Sequence, residues 1–181
     1  FAHQGAKLPP RPTDYDAVMM TGSPLSATRL EPWMQRAADF MVEAAEQGIP
    51  VLGVCFGHQL LAQAYGGRVE RSALGREIGT VEVELTEAGQ ADPLFRGLPR
   101  RFAVQATHED LVPEPPAGTV ALAGNTHTPV QALAFRPCAR GVQFHPEMQP
   151  DAMRALIQAR AERLEAEATA RGQPAGERVP R

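Results

Sequence analysis

Short, wholly apolar runs alternate with helical stripes in the first third of the chain and give way to strand-like alternation in the middle. Ala17–Met20 reads as a buried strand, broken by Thr-Gly-Ser-Pro at 21–24. Residues 29–48 carry Trp33, Ala37, Met41 and Ala44 on one helical stripe, with Phe40 beside it. Pro32 suits the first turn of that helix and Gly48 its C′ position. The apolar run 49–54 is what a strand buried on both faces of a parallel sheet requires. A helix is predicted over Gln59–Tyr65, stopped by Gly66-Gly67.

Beyond residue 80 the period changes. In TVEVELT, residues 80–86, Val81, Val83 and Leu85 alternate with Glu82 and Glu84, the pattern of a half-exposed strand. Further strands are predicted over 101–110, 119–125, 129–135 and 140–147, and a loop over the proline-rich 112–118. Residues 151–168 form a charged amphipathic helix with Met153, Leu156, Ile157 and Leu164 on its apolar side. Strand, helix, strand, helix, several strands and a closing helix indicate an α/β three-layer sandwich, with a mostly parallel, flavodoxin-like central sheet and extra antiparallel strands. One domain over 1–168 is expected, followed by a polar, disordered tail over 169–181. The strand, helix and strand that normally open a doubly wound sheet are missing from the pattern before Ala17.

Composition narrows the class of function. The chain has 181 residues, 43% of them apolar, enough for one domain with a core. A net charge of −3 without any Lys/Arg block gives no support to nucleic-acid or membrane-surface binding. No apolar run approaches the roughly 20 residues of a membrane span, and no signal-peptide pattern is seen, so a cytoplasmic protein is expected. Its two cysteines, Cys55 and Cys138, are then expected to be free thiols.

Cys55 sits in Gly53-Val54-Cys55-Phe56-Gly57, a G-x-C-x-G between a buried strand and a helix. The related G-x-S-x-G marks a nucleophile elbow, whose glycines let strand and helix backbones pass closely. A thiol there lies at a helix N-terminus, which is expected to lower its pKa, and the Phe56 amide is placed for a developing oxyanion. A buried structural cysteine would use the same glycines, so the elbow needs a base to distinguish it. GVQFHPE, residues 141–147, offers one: in an extended segment His145 and Glu147 point to the same side, and Pro146 stiffens the spacer. Glu147 can then accept from one ring nitrogen while the other faces the thiol. His58 has no companion cluster in sequence, so no metal site is expected. His108 and Asp110 in THED, residues 107–110, lie on one side of an extended segment and suit loop scaffolding and substrate shaping better than proton transfer.

GVCFGHQLLAQAYGG together with GVQFHPE closely resembles the class I, triad-type glutamine amidotransferases. TGSP, THED and DPLFRGLP look most like the amidotransferase portion of GMP synthetase and its stand-alone relatives. The resemblance covers about residues 14–150. It implies Cys55, His145 and Glu147 as the catalytic triad, Gly22 and Phe56 as oxyanion donors, and a γ-glutamyl thioester between attack and hydrolysis. It further implies that Gln59 and the backbone around Thr107, His108 and Glu109 grip the amino-acid end of the substrate, with no cofactor. The substrate would be glutamine or another γ-glutamyl amide. An ATP-dependent synthase subunit would accept the ammonia, unless the protein is a stand-alone γ-glutamyl peptidase or an inactive binding module. The oxyanion loop departs from the synthetase pattern Gly-Gly-Pro, reading Gly22-Ser23-Pro24, and serine tolerates a positive φ poorly.

Overall fold

The computed structural model describes residues 7–172. Its frame is set by three parallel strands that lie side by side. Strand β1, Val18–Met20, pairs with β2, Val51–Val54, and β2 pairs on its other edge with β9, Ala139–Val142. The crossover from β1 to β2 is α1, Pro32–Glu46, shorter at both ends than the residues 29–48 expected. Pro32 takes the first position, where its missing N–H costs nothing. Gly48 follows the helix with φ +81°, a conformation in which glycine carries no steric penalty. Trp33, Met34, Ala37, Ala38 and Met41 form the buried stripe.

The rest of the sheet is built by hairpin-like returns. The seven-stranded order is β1-β2-β9-β8-β7-β4-β5, with β4 Glu77–Leu85, β5 Arg101–His108, β7 Val120–Gly124 and β8 Ala132–Phe135. From β9 outward every pairing is antiparallel, so antiparallel pairs outnumber parallel ones among the described residues. The mixed α/β sandwich is as expected, with a larger antiparallel part. Strand β4 begins three residues before the alternation at 80, because Glu77 and Gly79 are buried too.

Each face of the sheet has its own core. Helices α1 and α2, Phe56–Ala64, cover one face through Trp33, Met41, Phe56, Leu60 and Leu61, in one cluster with Phe135 of β8. Val83, Leu85, Phe95, Leu122, Val142 and Phe144 fill the other. A small ribbon of β3, Glu70–Arg71, and β6, Asp110–Leu111, projects beside the main sheet.

The closing helix is two helices. Helix α4 runs Pro150–Ala159 and α5 runs Ala161–Ala170, with Arg160 between them at φ −114° and ψ 11°. The Arg160 amide is shared between the carbonyls of Leu156 and Ile157, so the first helix ends by tightening its last turn. Helix α5 then reaches Ala170, past the expected end of the domain at 168, and is tied down by Glu167 and Arg171. Of the expected tail, 173–181 lie outside the described residues. Among the described residues, no helix is long and apolar enough to cross a membrane.

Candidate active site

Three chain segments leave the carboxyl ends of the three adjacent parallel strands and meet at one cleft. Gly22 follows β1, Cys55 follows β2, and His145 with Glu147 follows β9. In open α/β sheets ligands bind at this end of the strands.

Cys55 is the turn itself. It has φ 51° and ψ −102°, the one positive φ at a non-glycine position among the described residues. Its amide donates to Val142 O at 2.8 Å, which locks the turn to β9. The flanking glycines are there for backbone clearance. A Cβ on Gly53 would stand 2.6 Å from the Gly57 carbonyl, and one on Gly57 would stand 2.2 Å from Met20 O. The helix begins immediately at Phe56, three residues earlier than expected at Gln59, because the sharp turn leaves no connecting loop. The Phe56 amide is directed at the sulfur, and its ring stacks on Trp33 with centroids 6.1 Å apart.

The thiol is not acidified at rest. Burial pushes Cys55 up to about 12, outweighing the Phe56 amide, and the charges of Glu147 and Asp110 add to burial against a smaller opposing effect of Arg76. A helix N-terminus alone would lower this pKa. Desolvation wins because the sulfur sits under the loop 21–26 and only 6% of the residue is exposed.

His145 lies just past the end of β9, in a turn that includes Pro146 and Glu147, where an extended strand to 147 was expected. The turn is closed by Met148 N–H donating to His145 O at 3.2 Å. His145 N–H donates to Gln105 O at 2.8 Å, which pins the segment to β5. Nδ1 of His145 is 2.7 Å from Oε1 of Glu147. Nε2 is buried and has no hydrogen-bond partner among the described residues. Gly22 connects this ring to Cys55. A Cβ built on Gly22 would be 2.7 Å from Cε1 of His145 and 3.6 Å from Cβ of Cys55. Neither Gly22 nor Ser23 takes a positive φ, so Ser23 fits its loop without strain, and its Oγ accepts from Leu25 N–H at 3.2 Å.

The remaining expected residues line the same cleft, about 370 Å³ in volume, but their side chains are committed differently. Gln59 is buried, and its amide nitrogen donates to Asp110 O at 2.8 Å and Gln143 Oε1 at 3.1 Å. Thr107 leaves its hydroxyl buried and unpartnered in the cleft wall. Glu109 pairs with Arg76 at 3.3 Å and with Arg171. The His108 ring turns away, to Thr128 Oγ1 at 3.0 Å and Glu77 Oε2 at 3.2 Å.

Glu77 is the hub of that inner network and was not visible in sequence. It accepts from Asn125 at 2.7 Å, Gln131 at 2.8 Å and Thr128 at 3.0 Å. Although burial alone would raise its pKa, the His108 side chain, Asn125 and Thr128 hold the carboxyl down at about 2. Glu77, His108 and His127 bring their ligand atoms within 4.8 Å of one another and so could hold a metal ion, a cluster that sequence separation conceals. The Thr128 hydroxyl occupies their midst, 3.0 Å from His108 Nε2 and 3.2 Å from His127 Nδ1, and already supplies the contacts an ion would make. His58 has no part in this cluster. It is fully buried against Gly141, both ring nitrogens lack partners among the described residues, and desolvation pushes its pKa down to about 3.

Known proteins resemble this chain in sequence and in fold. A family model for class-I glutamine amidotransferase matches residues 4–161. A GMP synthase (glutamine-hydrolyzing) of Aeropyrum pernix is 40% identical over 132 residues, 73% of this chain and 24% of that protein. The chain thus spans about a quarter of the length of such relatives. One subunit of a GMP synthase (glutamine-hydrolyzing) of Saccharolobus solfataricus is 35% identical over 75% of this chain and 69% of its own. Among solved structures, a glutamine amidotransferase of Thermotoga maritima superposes with a TM-score of 0.78 at 28% identity, covering 90% of this chain and 70% of that one. A glutamine amido transferase of Methylobacillus flagellatus gives 0.78 at 31% identity, covering 90% and 64%.

Proposed function

The chain belongs to the class I glutamine amidotransferase family, and from that premise we propose that it hydrolyses the side-chain amide of glutamine to glutamate and ammonia through a Cys55 thioester. The observation that supports this most is the convergence of Gly22, Cys55 and the His145–Glu147 pair on the ends of adjacent strands around one cleft.

In this reading Glu147 holds His145 so that its buried Nε2 is the proton acceptor. As Sγ of Cys55 attacks the amide carbon, its proton passes to His145, and the carbonyl oxygen becomes an oxyanion. The Phe56 amide and the Gly22 loop face that oxygen. His145 then gives the proton to the leaving nitrogen, and ammonia departs. Water, deprotonated by the same ring, attacks the thioester. The collapsing intermediate expels the sulfur, which recovers the proton, and glutamate is released. A thiol with a pKa of about 12 makes the transfer to His145 part of the attack itself. We further propose that the ammonia goes to a separate ATP-dependent synthase chain. The likeness to relatives that are themselves single subunits of a GMP synthase supports this reading.

Release of ammonia and glutamate from glutamine tests the proposal. Wild type is expected to turn over and to be covalently labelled at Cys55 by a glutamine-analogue diazoketone. Full activity retained in Cys55→Ala would overturn it.

A further inference from the structure

The cleft holds one cation too many. Every carboxylate that lines it is occupied: Glu147 by His145, Glu109 by Arg76 and Arg171, and Asp110 by the Ser26 hydroxyl at 2.5 Å. Of the four arginines in its wall, Arg76 pairs with Glu109 and Glu167, Arg163 pairs with Glu167, and Arg71 approaches Glu109 and Asp110 at 3.9 and 4.0 Å. The guanidinium of Arg160 alone has neither an ion pair nor a hydrogen bond among the described residues, although Arg160 is half-buried in the wall of the cleft that contains Cys55.

Its position is built, not incidental. Arg160 is the joint between α4 and α5, and α5 is fastened to the far rim through Glu167 to Arg76 and Arg171 to Glu109. A guanidinium presents a fixed fork of donors that fits a carboxylate with two parallel bonds. Such a group in the wall of a cleft is placed to pair with a carboxylate that enters it.

We propose that Arg160 receives a carboxylate of the substrate, an assignment that rests on the amide-hydrolase reading of the cleft. Two parts of a γ-glutamyl compound carry that chemistry. One is the α-carboxylate of the glutamyl portion. The other is the carboxylate of an amino acid joined through the amide, which would make γ-glutamyl dipeptides substrates alongside glutamine.

Steady-state kinetics of wild type, R160Q and R160K on glutamine, γ-glutamylmethylamide and γ-glutamylglycine separate the two. In R160Q, KM is expected to rise on the order of tenfold or more with kcat within about twofold, and R160K is expected to recover part of the loss. A rise shared by all three compounds assigns the α-carboxylate. A rise confined to γ-glutamylglycine assigns the distal one. Unchanged KM for all three in R160Q overturns the proposal. Should wild type turn over none of them, hydrolysis is rejected, and calorimetric binding of glutamine and γ-glutamylglycine decides the site. Weaker binding to R160Q than to wild type then supports Arg160, whereas equal binding, or none to either protein, overturns it.

Discussion

Gly22 lies against the edge of the His145 ring so closely that even a methyl group would stand 2.7 Å from Cε1. The absence of a side chain at residue 22 is thus a condition for the position of the base. Gly22→Ala is expected to fold, because the displaced neighbour is a side chain at a cleft, and to lose on the order of 10²-fold in kcat/KM as the ring shifts. Circular dichroism with glutaminase assays checks this, and retention of full activity would exclude the tight fit.

The buried thiol makes two measurable statements. Alkylation of Cys55 by iodoacetamide at neutral pH should be slower than that of Cys138, and should accelerate as pH rises toward about 12. Stability carries the same sign. A free thiol ionises near pH 9, so between about 9 and 12 the unfolded chain has lost its proton while the folded chain keeps it, and folding weakens as pH rises. Cys55→Ala should remove that part of the alkaline loss, seen as a smaller drop in Tm from pH 9 to 11 than wild type shows.

Glu147 is half exposed, whereas His145 is buried. Water competes for the carboxylate and reduces what it contributes to orienting the ring. His145→Ala is accordingly expected to cost on the order of 10³-fold or more in kcat, and Glu147→Gln about 10- to 10²-fold. Equal losses would show that the carboxylate does more than orient.

Glu77 should be a stability residue that acts at a distance from the cleft. Its carboxyl stays ionised down to about pH 2 in the fold against about 4.5 unfolded. Because the folded pKa is the lower one, its contribution is full above about pH 4.5 and disappears as pH falls toward 2. Glu77→Gln should lower stability by about 1–3 kcal/mol at pH 7, through lost and mismatched buried hydrogen bonds. In urea titrations the difference from wild type should shrink steadily below pH 4.5.

His58 is a helix residue with two unpaired nitrogens in an apolar setting. His58→Leu should leave Tm unchanged or raise it, since an apolar side chain removes unsatisfied polar atoms. Gly141→Ala should lower Tm, because its methyl would stand 2.5 Å from the His58 ring. A large loss of stability in His58→Leu would mean that a buried water satisfies the ring.

What the sequence revealed was mostly what short-range rules govern. The elbow glycines, the Pro32 start and Gly48 stop of α1, and the His145–Glu147 spacing all depend on neighbours within a few residues. Four features escaped it. Glu77 reads as one more acid on an alternating strand, and only the β4–β5 register, which sets it opposite His108, shows it to be buried. The metal-like trio is drawn from three segments far apart in the chain. The break at Arg160 lies in a continuous helical pattern, and α5 beyond it is held by Glu167 to Arg76 and by Arg171 to Glu109, partners far away in sequence. The thiol's pKa followed burial instead of the helix dipole, and burial is a property of the assembled loops.

The pairing of Met20 with Gly53 and of Val54 with Val142 has a consequence for how this domain can change. Cys55, the Phe56 amide and the segment that carries His145 are spaced by peptide-to-peptide ladders, which are indifferent to the identity of most side chains. The apolar packing on either side of the sheet can therefore drift over generations, or be redesigned for heat tolerance, while the reacting atoms keep their separation. Residues whose Cβ would run into backbone atoms, Gly53 and Gly57, have no such latitude.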